Sequence, residues 1–233
     1  MLNVAIVVAG GRGRRMAAAV PKQYLDLGGR TILQRTLEAV SAAETVHRIV
    51  LVVPRGDVVY CRDEIVERQG LSKVERVVMG GKTRQESVWN GLQAIEKMRL
   101  LPDVVAVHDG VRPFVEPALV DRAVRTAANF GGALVAAAVK ETIKAITDDG
   151  FVRLTPDRRW LYAAQTPQAF HYLTLVDAYR RARAEGFVGT DDCQLIERAG
   201  GRIVIVESDD RNIKITTPTD LLLARALWAE KKK

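Results

Sequence analysis

A chain of 233 residues with 48% hydrophobic content can bury one large core, and no linker, low-complexity segment or repeat of solenoid period divides it. Its formal net charge of +7 points to anionic partners, but with only 6% aromatic residues and no basic segment that interleaves them, nucleic acid is not the expected one. No apolar run reaches the length of a membrane span and no basic segment or small-residue cleavage site marks a secretory signal, so a cytoplasmic protein without a membrane partner is expected.

Residues 4–9, VAIVVA, form a short apolar run rich in β-branched side chains, followed at once by Gly10, Gly11 and Gly13. This reads as a strand feeding a tight loop. The loop turns cationic at Arg14 and Arg15, and Pro21 presents Lys22. Glycines let backbone N–H groups approach a phosphate, and arginine and lysine add charge-assisted donors, so the stretch reads as a nucleotide phosphate cradle. Two familiar loops are ruled out. The dinucleotide fingerprint GxGxxG fails because Met16 stands in place of its third glycine. Gly81-Lys82-Thr83 lacks the P-loop glycine five positions before its GK, where Arg76 stands.

Thr31-Ile-Leu-Gln34 is a capping-box signature ahead of a helix with Ile32, Leu33, Leu37 and Val40 on one face. Residues 48–53 read as the second strand, 57–69 as a helix and 74–79 as the third strand, which ends in Gly80-Gly81. Thr83-Arg-Gln-Glu86 is a second capping box, opening a helix through Val88, Leu92 and Ile95. A fourth strand at 104–107 runs into His108-Asp109-Gly110-Val111-Arg112-Pro113, and a helix at 118–129 and a strand at 133–139 follow. Strands that alternate with helices and lack polar alternation predict an α/β fold. It is a Rossmann-like, mostly parallel sheet with helices on both faces and ligands at the strands' carboxyl ends.

Between 140 and 161 the pattern changes to two short alternating pieces, 142–147 and 151–155, around Asp148-Asp149-Gly150, the signals of a projecting β-hairpin arm. Residues 165–168 return to the core, 172–184 and 190–198 read as helices, and 203–206 as the last strand. Thr217-Pro218 supplies an N-cap and a first-position proline for a C-terminal helix through Trp228. Residues 1–233 are read as a single domain bearing the arm.

His47, His108 and His171 lie in no metal-ligand spacing, Cys61 and Cys193 form no CxxC, and no GxSxG elbow is present. Asp191 and Asp192 suit either a carboxylate pair or a helix cap after Thr190. Loops rich in Arg, Lys, Gly and Thr suit phosphoryl or nucleotidyl transfer instead. An attacking phosphate monoester is already an anion near neutral pH, its second pKa being about 6. Such a reaction needs no protein nucleophile and reduces to positioning and charge stabilisation.

The loop Ala9-Gly-Gly-Arg-Gly-Arg-Arg-Met16 with Pro21-Lys-Gln-Tyr24, then Asp109-Gly-Val-Arg-Pro113, Thr166-Pro-Gln168, Thr190-Asp191 and Asp210-Arg-Asn-Ile-Lys214, appear in this order over essentially the whole chain. Together they resemble the methylerythritol phosphate cytidylyltransferases. The resemblance implies transfer of CMP from CTP to 2-C-methyl-D-erythritol 4-phosphate with release of pyrophosphate, a step of non-mevalonate isoprenoid synthesis. It implies Mg²⁺ or another divalent cation, held mainly by substrate phosphates and water, with no protein ligand assigned.

Position by position, the resemblance gives Arg15 and Lys22 the triphosphate and the transition state. Ala9, Gly10, Gly81, Lys82 and Ser87 fall where the family reads cytosine and ribose, beside the phosphate-loop glycines Gly11 and Gly13. Asp109, Gly110, Arg112, Thr166, Thr190 and Lys214 match its methylerythritol phosphate contacts. In the family an arm reaches into the neighbouring subunit of a homodimer, and Thr142 and Arg158 match its contributions. The chain departs from the family pattern at Gly10, often alanine, and at Lys82, where an acidic residue is usual. An ammonium cannot accept the cytosine amino hydrogens, which leaves backbone carbonyls for that contact. A sister enzyme that activates ribitol phosphate with CTP, and a silent nucleotide-binding protein on the same scaffold, are the alternatives.

Overall fold

The apolar runs become the interior of a sheet in a computed structural model that describes residues 1–11 and 20–231. The strands are β1 (Asn3–Val8), β2 (Arg48–Val53), β3 (Val74–Met79), β4 (Val104–Asp109), β5 (Gly132–Ala138), β6 (Ala145–Ile146), β7 (Val152–Leu154), β8 (Tyr162–His171) and β9 (Val204–Glu207). Seven of them form the main sheet in the order β3-β2-β1-β4-β8-β5-β9, all parallel except β8, which runs antiparallel to both of its neighbours. The mostly parallel α/β prediction agrees with this sheet. Strands buried on both faces carry no polar alternation, and β4 is buried at every position.

Each face of the sheet has its own helices. Leu33 and Leu37 of α1 (Ile32–Ser41) and Val120 and Val124 of α4 (Pro117–Phe130) pack with Ala5, Val7, Ile49 and Leu51 on one face. Val88 and Leu92 of α3 (Arg84–Lys97) and Leu175 and Tyr179 of α5 (Tyr172–Ala184) pack with Ile6, Val50 and Val107 on the other. Each such leucine or valine contributes about 1.5–3 kcal/mol through removal of its surface from water. A smaller cluster, which includes Leu27, Val111, Phe114 and Ile215, is closed by Ala224 of the C-terminal helix, and Ile215 N–H donates to Val111 C=O across it at 3.0 Å.

Four local differences from the sequence expectation have physical causes. The helix expected over 57–69 is a 3-10 turn (Arg55–Asp57), one α turn named α2 (Val58–Tyr60) and a π-helical stretch (Cys61–Glu67). The wider winding keeps Cys61, Ile65 and Val66 all against the sheet. Residues 165–168 belong to the ten-residue strand β8 at the middle of the sheet. Pro167, which follows a cis peptide bond, argues against an inner strand, but it falls where the β5–β8 register shifts between Leu134 and Ala136 and faces no ladder partner there. Strand β4 extends through His108 and Asp109, so these two stand on a rigid element instead of a loop. Helix α6 (Asp192–Arg198) starts two residues later than expected, because Asp191 is its N-cap and accepts Gln194 N–H at 2.9 Å.

The predicted hairpin is present as the separate two-stranded sheet β6-β7, with the turn glycine Gly150 at φ +87°. The last helix, α7 (Pro218–Lys231), begins at Pro218 as expected. From β1 the chain moves outward to β2 and β3, then returns to pair β4 along the other side of β1. That reversal opens a crevice at the carboxyl ends of β1 and β4, the usual ligand position in such a sheet.

Candidate functional site

Val8 and Asp109 are register partners at the end of the β1–β4 ladder, and the chain leaves β1 through Ala9 and β4 through Gly110. A Cβ on Gly110 would lie 2.9 Å from Ala9 Cβ and 3.2 Å from Val8 C=O, so only glycine lets the two exits lie this close. Gln23, fully buried, donates from Nε2 to Ala9 C=O at 3.1 Å and so ties together the two ends of the phosphate loop. Lys22 starts a 3-10 turn, Lys22–Tyr24, whose far end is fixed by the Tyr24 hydroxyl donating to Asp57 Oδ2 at 2.7 Å. Gly13, Arg14 and Arg15 lie outside the described residues.

The loop after β3 forms the opposite wall. Ser87 Oγ accepts Gly81 N–H at 3.1 Å and donates to Thr83 C=O at 2.9 Å, while Thr83 Oγ1 caps α3 by accepting Glu86 N–H at 3.0 Å. The capping box read from Thr83 and Glu86 is displaced by one residue. Glu86 accepts from Lys82 N–H at 2.6 Å, which draws the loop tighter. A Cβ on Gly81 would sit 2.2 Å from Glu86 Cβ, so this turn also needs glycine.

The third wall is charged. Lys214 Nζ lies 2.7 Å and Arg112 Nε 3.7 Å from Asp109 Oδ2, and Arg84 Nε lies 3.2 Å from Oδ1. Burial would push the Asp109 carboxyl up, but Arg84, Lys214 and Arg112 outweigh it and hold the group well below the usual carboxylate range. Asp109 is therefore a fixed anion and a poor proton acceptor. Lys214 is set by its own loop, since Arg112 Nη1 donates to Asn212 C=O at 2.6 Å and Asn212 Nδ2 donates to Thr166 C=O at 3.0 Å.

Behind Asp109 runs a buried polar chain. Asp109 N–H donates to Thr166 Oγ1 at 3.1 Å, Thr166 Oγ1 lies 3.0 Å from His108 Nδ1, and His108 Nε2 lies 3.3 Å from Arg112 C=O. A carbonyl only accepts, which places the imidazole proton on Nε2 and leaves Nδ1 to accept the threonine hydroxyl. Burial brings His108 down to about 4, consistent with this neutral tautomer.

Of the residues singled out in the sequence, Ala9, Gly10, Gly11, Lys22, Gly81, Lys82, Ser87, Asp109 and Lys214 line one cleft of about 280 Å³. Gly110, Arg112 and Thr166 are buried and outside its lining. The Thr166 hydroxyl and the Arg112 guanidinium serve Asp109, His108 and Asn212. Thr190 is exposed, donates its N–H to Gln194 Oε1 at 2.8 Å and is not part of the lining. Thr142 and Arg158 lie on the exposed arm region outside the cleft, with Arg158 Nη1 donating to Lys140 C=O at 2.6 Å. Asp191 and Asp192 do not act as a carboxylate pair, since one caps α6 and the other is fully buried against Arg84 and Tyr179. Sequence reasoning gave no role to Arg84, Gln23 or Gln168, and it weighed Asp192 only as half of a carboxylate pair or a helix cap. The signal for Arg84 was a cation in the first turn of a helix, where the macrodipole disfavours it.

The cleft thus offers glycine backbone on two walls, the cations Lys22, Lys82, Arg84 and Lys214, and one fixed carboxylate. Such a lining accepts a polyanion beside a hydroxyl-bearing group. Residues 3–230 match the family described as 2-C-methyl-D-erythritol 4-phosphate cytidylyltransferase. A protein of that name from Geobacter metallireducens is 48% identical over 231 residues, covering 99% of each chain. Another from Geotalea uraniireducens is 49% identical over 226 residues, 97% of this chain and 96% of the relative. The crystal structure of the 4-diphosphocytidyl-2C-methyl-D-erythritolsynthase from Anaerococcus prevotii superposes with a TM-score of 0.86 at 33% identity, covering 98% of this chain and 96% of that one. With the motifs in order, the fold shared and the likeness running from end to end, the chain belongs to the 2-C-methyl-D-erythritol 4-phosphate cytidylyltransferase family.

Proposed function

We propose that the protein transfers the cytidylyl group of CTP to 2-C-methyl-D-erythritol 4-phosphate, a step of non-mevalonate isoprenoid precursor biosynthesis. The observation that carries this reading is the cleft at the β1–β4 crevice, which joins the Gly10-Gly11 and Gly81–Ser87 backbone to the Asp109–Lys214 pair. The nucleotide lies on the first two walls, with its triphosphate toward Lys22; the family resemblance gives Arg15 the same task. The acceptor lies on the third, its phosphate toward Lys214 and its hydroxyls toward Asp109. A phosphate oxygen of the acceptor attacks the α-phosphorus of CTP, the bond to the bridging oxygen breaks, and the electron pair leaves on pyrophosphate. No protein base is needed, because the attacking oxygen is already an anion. The work of the chain is alignment, and donors preset for the charge that gathers at the α-phosphorus.

Among the described residues no group of three His, Cys, Asp or Glu side chains is arranged to hold a metal ion, and Asp109 is committed to three cations. We assign Mg²⁺, or another divalent ion, to the phosphate oxygens and water, where it neutralises polyphosphate charge.

The whole of 1–233 acts as one domain, and the arm serves a second copy of the chain. Its Phe151 and Trp160 are 72% and 80% exposed, which suits an apolar surface that a homodimer covers, carrying Thr142 and Arg158 to the partner's cleft. No described helix is long and apolar enough to cross a membrane; we place the protein in the cytoplasm, where CTP is made. Incubation with CTP, methylerythritol phosphate and Mg²⁺ tests the function through the product. CDP-methylerythritol in the mass spectrum supports it, and unchanged substrates overturn it.

A further inference from the structure

Three distant parts of the chain meet at one side chain. Arg84, the first residue of α3, is 26% exposed, and its guanidinium is occupied at both ends: Nε lies 3.2 Å from Asp109 Oδ1, and Nη2 lies 2.8 Å from Asp192 Oδ2. Asp192 is anchored in turn. Its Oδ1 accepts the Tyr179 hydroxyl, and its N–H donates to Gln168 Oε1 at 3.0 Å, with Cys193 N–H on the same oxygen at 3.2 Å. The other cations at Asp109, Lys214 and Arg112, both approach Oδ2. Arg84 thus grips the carboxylate from the side opposite to Lys214. With only the Oδ2 contacts left, the carboxylate plane is free to turn about its terminal torsion, which is broad and roughly two-fold.

We infer that Arg84 is a positioning residue for the acceptor: by holding Asp109 Oδ1 it fixes the carboxylate plane, so that Oδ2 presents Lys214 to the cleft, while Asp192 serves as its anchor and counter-charge. This role rests on the acceptor reading of Asp109 and Lys214 proposed above. The Gly81–Thr83 loop runs directly into Arg84, yet both ends of the guanidinium are held by carboxylates of β4 and α6. Removing Arg84 should therefore weaken the acceptor more than the nucleotide.

The groups that face Asp109 define what else could mimic this effect. Arg84 approaches from α3, Lys214 from the loop after β9, and Arg112 from the turn after β4. His108 adjoins it on β4, and Asp192 and Tyr179 stand on the far side of Arg84. Loss of Arg84 leaves Asp109 buried with one cation fewer, so its carboxyl titrates at higher pH. It also orphans the buried Asp192, a structural defect that a neutral partner at 192 removes.

The test compares wild type with Arg84→Gln and with the double variant Arg84→Gln/Asp192→Asn. The single variant should melt lower, and the double should recover most of that loss. In the double, KM for methylerythritol phosphate should still rise about 10- to 100-fold, the scale of one lost charge-assisted hydrogen bond, with KM for CTP within about 2-fold of wild type. Return of the acceptor KM to its wild-type value in the double would overturn the inference and leave Arg84 as a counter-charge for Asp192 alone. Equal increases in both KM values would overturn it as well. A carboxyl-carbon NMR titration of Asp109 separates this outcome from failure of the acceptor assignment. The upward shift in the double variant is expected whatever the acceptor, and its absence counts against Arg84 whatever the turnover.

Discussion

Lys214 Nζ sits 2.7 Å from Asp109 Oδ2, an ion pair that closes the loop after β9 onto the end of β4 at the edge of the cleft. Asp109 is buried among Lys214, Arg84 and Arg112, so Asp109→Asn leaves those cations short of a partner. Breaking one side of a buried pair costs about 3–5 kcal/mol. Chemical denaturation should show a loss of that order. The sign with pH follows from the depressed folded-state carboxyl: its contribution is complete above the ordinary carboxylate range and is lost as pH falls from there toward the folded value. Wild type should therefore lose more stability on acidification below about pH 5 than Asp109→Asn does.

His108 adds a loss of the same sign from a different cause. It is neutral in the fold because burial brings it down to about 4, whereas the unfolded chain binds the proton near its ordinary value. The unfolded state then holds more protons between these two values, so stability falls as pH drops through the window. At about 1.4 kcal/mol per pKa unit, the loss from pH 7 to 4 is about 3 kcal/mol. His108→Gln should flatten this segment of the stability curve measured by urea unfolding, and an unchanged slope would count against a neutral buried imidazole.

Arg15→Ala and Lys22→Ala should each lower kcat by about 10²- to 10³-fold at saturating substrates, the usual loss for one preset donor at a developing charge. Single-turnover rates keep product release out of the comparison. Near-wild-type chemistry in either variant would remove that residue from the transition state.

The arm makes a prediction about subunits. If Arg158 serves the partner's cleft, Lys22→Ala and Arg158→Ala homodimers are both impaired, but a mixed dimer contains one intact site and one with both lesions. Random re-pairing of equal amounts yields about half mixed dimers and so about a quarter of the wild-type sites. Activity after co-refolding should recover to that level. No recovery despite subunit exchange would mean that the arm serves its own chain.

The sheet was legible because burial on both faces leaves unbroken apolar runs such as residues 49–53, and the helices because Thr31 and Thr83 mark their starts. Strand β8 was not, because Pro167 and three polar neighbours break the pattern that a strand inside a sheet normally shows. In the site, Lys22 and Gly81 announce themselves through local chemistry, and Lys214 through the family resemblance. Arg84 and Asp192 do not, since their meaning lies in contacts with residues far along the chain, Asp109 for one and Tyr179 for the other. Thr166 and Arg112 were legible as site residues, but their turn inward, toward His108 and Asn212, depends on a packing that local sequence does not encode.

Pyrophosphate release, measured with each nucleotide triphosphate and each acceptor in turn, decides the reaction. Rapid release from CTP should require methylerythritol phosphate, with little release when UTP or ATP replaces CTP. A clear preference for ribitol phosphate, or equal rates with UTP or ATP, would contradict it and direct attention to Lys82, where the family usually carries an acid.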